Sequence, residues 1–170
     1  MNHLYSPIFK LSILLLILTF GFVGKANAEM TPEKLHQAID GYSDKAQVQG
    51  NVIVFEYQQM TLYCVWDANA DRMRILSPIA NRSDVTDEMM EAAMQANYHS
   101  VLDARYAVGD GVLYSAFIHP LSSITKAELE SAIRQVATAA ATFGGSYSSG
   151  ELVFPGNSEN KAKKGEAKSM

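Results

Sequence analysis

The chain has 170 residues, with 14 lysines and arginines against 18 aspartates and glutamates and a formal charge of −4. That excess of acid argues against nucleic acid or an anionic membrane surface as the partner, because both require clustered basic side chains. A single cysteine, Cys64, excludes an intramolecular disulfide, so one domain's worth of chain must hold itself together by its core.

The first 28 residues read as a cleavable secretory signal. Lys10 supplies the positive charge, residues 11–23 are almost wholly apolar, and Gly24 and Lys25 break that run. Ala26-Asn27-Ala28 then gives the small-x-small pattern that a signal peptidase reads, placing cleavage near Ala28 and the product in the periplasm or beyond. The apolar run is shorter than the roughly 20 residues of a membrane span, so no span is expected after cleavage. No cysteine follows it to carry a lipid. In an oxidising compartment a lone thiol is best hidden, and Leu62, Tyr63, Val65 and Trp66 around Cys64 read as a strand that buries it.

Thr31-Pro32-Glu33 opens a helix: a capping hydroxyl, a proline suited to the first helical position, and an acid at the positive end of the dipole. Leu35, Ala38, Ile39 and Tyr42 form its apolar face. After a polar linker, residues 52–57 and 61–66 are dense in β-branched and aromatic side chains, with Gln58-Gln59 as a tight connection between two strands. Residues 67–71 are a turn by composition, and residues 72–79 give a third strand that Pro78 is expected to end. A second helix follows over residues 86–98, capped by Thr86, with Asp87 and Glu88 in its first turn. Residues 102–108 and 112–118 form a hairpin about Gly109-Asp110-Gly111. Thr125 and Glu128 make a capping box for a last helix whose stripe is Leu129, Ile133, Val136, Ala140 and Phe143, stopped by Gly144-Gly145. Leu152, Val153, Phe154 and Pro155 form a short apolar patch.

From residue 157 the chain is polar and lysine-rich, with too little apolar surface to offset the entropy of ordering. The expected organisation is therefore a signal peptide at 1–28, a single α+β domain at 29–156 and a disordered polar tail at 157–170. The expected order is α-β-β-β-α-β-β-α, an antiparallel sheet packed with helices.

Chemistry is hard to find. His36, His99 and His119 form no pair at metal-ligand spacing, and there is no Cys-x-x-Cys. No nucleophile elbow, phosphate loop or dinucleotide fingerprint occurs, and Gly109-x-Gly111 is accounted for by the hairpin. Asp67 with Asp71, and Asp87 with Glu88, sit at a turn and a helix start, where acids are expected on structural grounds alone. Met89, Met90 and Met94 gather on the second helix, with Met60 and Met73 near strand ends. Soft thioethers in an exported protein suit copper, but methionine also packs adaptably into cores and interfaces, and nothing in the spacing makes these sulfurs converge. No catalytic, cofactor-binding or metal residue is assigned.

Residues 31–143 resemble the bacterial YbjN-type family, whose members share the fold of type III secretion chaperones. The likeness rests on the element order and on two segments: Met90-Glu91-Ala92-Ala93-Met94-Gln95-Ala96-Asn97-Tyr98 leading into a strand, and the hairpin from residue 112 followed by the helix to Phe143. The resemblance implies a small, commonly dimeric module that binds protein segments or regulates, with no known enzymatic activity. The signal peptide departs from the cytoplasmic setting of true secretion chaperones. The expected function is thus an exported, non-enzymatic protein-binding module, a homodimer with a further protein partner. The competing expectation is a periplasmic sensor of a metal or small ligand using the methionine group, or His99 and His119. The open face of a five-stranded sheet covered by one helical layer is where a partner is expected.

Overall fold

The computed structural model describes residues 29–150; the expected signal peptide at 1–28, the apolar patch at 152–155 and the tail expected at 157–170 lie outside the described residues. Helix α1 (Pro32–Asp40) begins where the Thr31 hydroxyl accepts from the Lys34 amide, and it buries Leu35 and Ile39 completely. Six strands follow: β1 (Asp44–Gln49), β2 (Val52–Tyr57), β3 (Met60–Asp67), β4 (Arg72–Asn81), β5 (Arg105–Gly109) and β6 (Val112–His119). Helix α2 (Asp87–His99) separates β4 from β5, and helix α3 (Lys126–Thr142) follows β6. All strands pair antiparallel in one sheet of spatial order β1-β2-β3-β4-β6-β5.

The turns have the backbone that right-twisted hairpins need. Gln58 and Gln59 lie at φ 50° and 66°, and Asp110 and Gly111 at 50° and 78°. At α3 the capping box is complete, with Thr125 Oγ1 accepting from the Glu128 amide while the Glu128 carboxylate accepts from the Thr125 amide. Burial then follows period two along each strand. Ile53, Cys64, Ile75 and Phe117 lie side by side across β2, β3, β4 and β6 and point into the core. Helices α1 and α3 close over this face with Leu35, Ile39, Leu129, Ile133 and Val136, and α2 adds Ala93 and Ala96. Among the described residues every helix contributes to this one core, so the sheet is helix-covered on a single face.

The fold is the α+β antiparallel type expected, with one strand more. Its order is α-β-β-β-β-α-β-β-α, because residues 44–49 form an edge strand where a polar linker was expected. Five of its six residues are exposed, so no alternating apolar pattern exists to betray it. Its Lys45 sits at a bulge with φ 53° and pairs with Glu56 at 2.8 Å, a charged edge that discourages stray strand pairing. Two boundaries also move. Pro78 does not end β4, which runs to Asn81 through an irregularity between Pro78 and Ala80, where the missing N–H is tolerated. Strand β5 begins at Arg105, not at residue 102, because Leu102 turns the chain at φ 41°.

One buried polar side chain sets that start. Gln135, 2% exposed on α3, accepts from the amides of Asp103 and Ala104 at 2.9 and 3.2 Å. These bonds hold the approach to β5 against α3 and fix how far β5 can extend along β6.

Candidate functional site: the open face of the sheet

Side chains that point away from the helices form two rows across the strands. One reads Val54, Tyr63, Leu76, Ala116, Arg105, and the other Val52, Val65, Arg74, Ile118. Val52, Val54, Tyr63, Val65 and Leu76 are half-buried by their neighbours alone, while Ile118 is 65% exposed. Such a strip of β-branched and aromatic residues is what a sheet presents to a second layer, yet no described element covers it.

Two depressions meet at Ile118. The first, about 400 Å³, lies where β5 stops: its last pairing is Arg105 with Ala116, while β6 continues through Phe117, Ile118 and His119. Phe117 and His119 form part of its lining, Asp103 and Arg105 line one side, and Glu128, Ser131 and Gln135 of α3 line the other. The second, about 350 Å³, crosses the open face over Val65, Arg74 and Ile118 to Trp66 and Asn51 at the β2–β3 end. Together they make a track from the sheet edge across three strands. Its walls are set by local bonds: Arg105 donates to the carbonyls of Leu102 and Ala104, and the ring of His119 stacks on Phe117 while its Nδ1 donates to the Pro120 carbonyl.

Most charges near the track are already engaged. The Glu128 carboxyl is held below its ordinary range by the Thr125 amide and hydroxyl. The Asp71 carboxyl is likewise lowered by the amide and hydroxyl of Ser122, which pin the β3–β4 turn to the segment after β6. Asp67 Oδ1 accepts from the amides of Asn69 and Ala70. Arg74 differs. Lys34, Lys45, Arg72, Arg82, Arg105, Lys126 and Arg134 each have a hydrogen bond or ion pair, whereas Arg74, exposed on the central strand β4, has none among the described residues.

The side chains weighed for metal chemistry fall apart from one another, His119 and Met73 at the lining of the track and the others away from it. Met89 and Met90 pack against the core from α2, Met94 points outward, Met60 lies half-buried on β3 and Met73 is buried on β4. His99 ends α2 beside Tyr98, while His119 lies on β6. Among the described residues no three His, Cys, Asp or Glu side chains gather as a metal site would require. Cys64 is fully buried, as its strand neighbours suggest, and burial pushes its thiol up to about 12. Arg74, Ile118 and Gln135 carry no sequence signal of their own. Strand register, which only pairing defines, sets the face of Arg74 and Ile118, and the bonds to Asp103 and Ala104 reveal the role of the buried Gln135.

Neither a protein-family model nor a curated protein matches the chain. Solved structures do. A chain from the HopA1–SchA chaperone–effector complex superposes with a TM-score of 0.51 at 8% identity, covering 64% of this chain and 88% of that one. A chain from the ExsC–ExsE complex gives 0.49 at 10% identity, over 62% and 84%. On the first of these likenesses, the fold is that of the type III secretion chaperone-like structures.

Proposed function

We propose that this chain is an exported, non-enzymatic protein-binding module that holds an extended polypeptide segment on the open face of its sheet. The observation that carries the reading is the track through Ile118: an apolar side chain 65% exposed on the face that no described helix covers, where a depression on that face meets one at the sheet edge beside α3. The fold shared with a chain of a chaperone–effector complex supports a polypeptide as the occupant. The unpaired end of β6 beyond Ala116 offers backbone groups to such a segment, the usual way in which an extended chain joins a sheet. The signal-like sequence at 1–28 supports a periplasmic site of action, and the element order supports kinship with the YbjN-type proteins. The module works as a homodimer, and the apolar surface of Met94 and Tyr98 on α2 with Val108 on β5 supports self-association away from the track.

A photo-crosslinking amino acid at Ile118, with the exposed Gln37 on α1 as the control position, tests the reading in the intact periplasm. The expected result is a discrete adduct from position 118 that maps to one contiguous stretch of another protein. Burying the Ile118 side chain against a partner is worth roughly 1.5–3 kcal/mol, so Ile118→Asp should weaken the complex by at least about tenfold. Equal, diffuse crosslinking from both positions would refute it.

A further inference from the structure

Resting on that reading, we infer that the segment held on the open face carries a carboxylate between apolar side chains, and that this carboxylate seats on Arg74. In the strand register Arg74 stands between Val65 and Ile118, with Leu76 two residues along its own strand. A purely apolar segment laid over this patch would take the guanidinium out of water with no acceptor, an unfavourable exchange for a charged donor. A carboxylate accepts two of its N–H bonds in parallel, while flanking apolar side chains meet Val65 and Ile118. Charge elsewhere enforces the choice. The described residues carry 15 acids against 8 bases, so an acidic segment is repelled by most of the surface and drawn to a basic position. Arg74, with Arg72 lining the same depression, has no hydrogen bond or ion pair among the described residues to give up on receiving a carboxylate.

The test is selection from a displayed library of random nine-residue peptides on the purified exported protein, followed by anisotropy titration of the enriched peptides. Enriched sequences should place Asp or Glu between apolar residues. Arg74→Gln should weaken them about tenfold, about 1.4 kcal/mol, at unchanged melting temperature. Arg74→Lys should restore part of the loss, and selection on Arg74→Glu should turn the preference to Lys or Arg. Enriched peptides that are apolar without an acid, or that bind Arg74→Gln as tightly as wild type, would overturn the inference and leave polypeptide binding standing. Failure to enrich any peptide would overturn both. So would a homodimer that Arg74→Glu dissociates while no peptide enriches, since the face would then be covered by a second copy.

Discussion

Replacing Gln135 by methionine removes one acceptor while keeping nearly the same volume in the core. In the folded chain that oxygen holds the amides of Asp103 and Ala104. Ala104 is fully buried, so its N–H would be left without a partner, at about 1–3 kcal/mol. Asp103 is exposed and its amide can turn to water, leaving a smaller cost of about 0.5–1.5 kcal/mol. The expected loss is about 1.5–4.5 kcal/mol, a substantial share of the roughly 5–15 kcal/mol that typically holds a domain. Urea unfolding followed by the fluorescence of the single tryptophan, Trp66, reads this as a lower midpoint at unchanged slope. Amide exchange at Asp103 and Ala104 should quicken in the same variant under native conditions. A stability within about 0.5 kcal/mol of wild type, inside the range of ordinary surface substitutions, would show that Gln135 does not fasten the start of β5.

Ser115 is fully buried on β6, and its hydroxyl has no hydrogen-bond partner among the described residues; Ser115→Ala should therefore raise stability by up to about 1 kcal/mol, and a loss of that size in the urea midpoint would mean the hydroxyl is satisfied. Burial pushes the Tyr106 hydroxyl up to about 12, and that hydroxyl donates to the Ala139 carbonyl. The raised value means that the folded state keeps its proton longer than the unfolded chain does. The stabilisation from this group is complete below pH about 10 and disappears as pH climbs towards 12. Stability in that window should fall less steeply for Tyr106→Phe than for wild type, and parallel curves would refute the assignment. The Cys64 thiol, buried and raised in the same direction, should resist an aromatic disulfide reagent at pH 8 until denaturant is added; prompt reaction of the native protein would contradict its burial.

The parts of this fold legible in the sequence are those where a local rule has a single outcome. Thr31, Thr86 and Thr125 each cap the helix their position announces, and the Asp110-Gly111 and Gln58-Gln59 turns close the hairpins expected of them. Strand β1 escaped because burial leaves its pattern only where a side chain is covered, and there Ala46 alone is partly so. Its one local sign is Gly50-Asn51, with Gly50 at φ 63°, a two-residue turn between strands. The site was harder still. On β6 both alternating sets are largely apolar, so the sequence cannot say which of Leu113-Ser115-Phe117 and Val112-Tyr114-Ala116-Ile118 meets the helices. Pairing with β4 decides it, placing Phe117 beside Ile75 in the core and Ile118 beside Arg74 outside. Gln135 shows the same limit from the other side: a polar residue on an apolar helix is read as solvent-facing until its two amide partners are seen.

The claim that the Ile118 face is occupied by polypeptide in the working compartment can be measured as protection from alkylation. In a Cys64→Ala background, Ile118→Cys introduces one thiol on the track and Gln37→Cys one on the exposed side of α1. Purified and dilute, both thiols should react with a maleimide at the rate of a free thiol. In intact periplasm, position 118 should react many-fold more slowly while position 37 is unchanged. Equal rates at position 118 in the two settings would contradict the account.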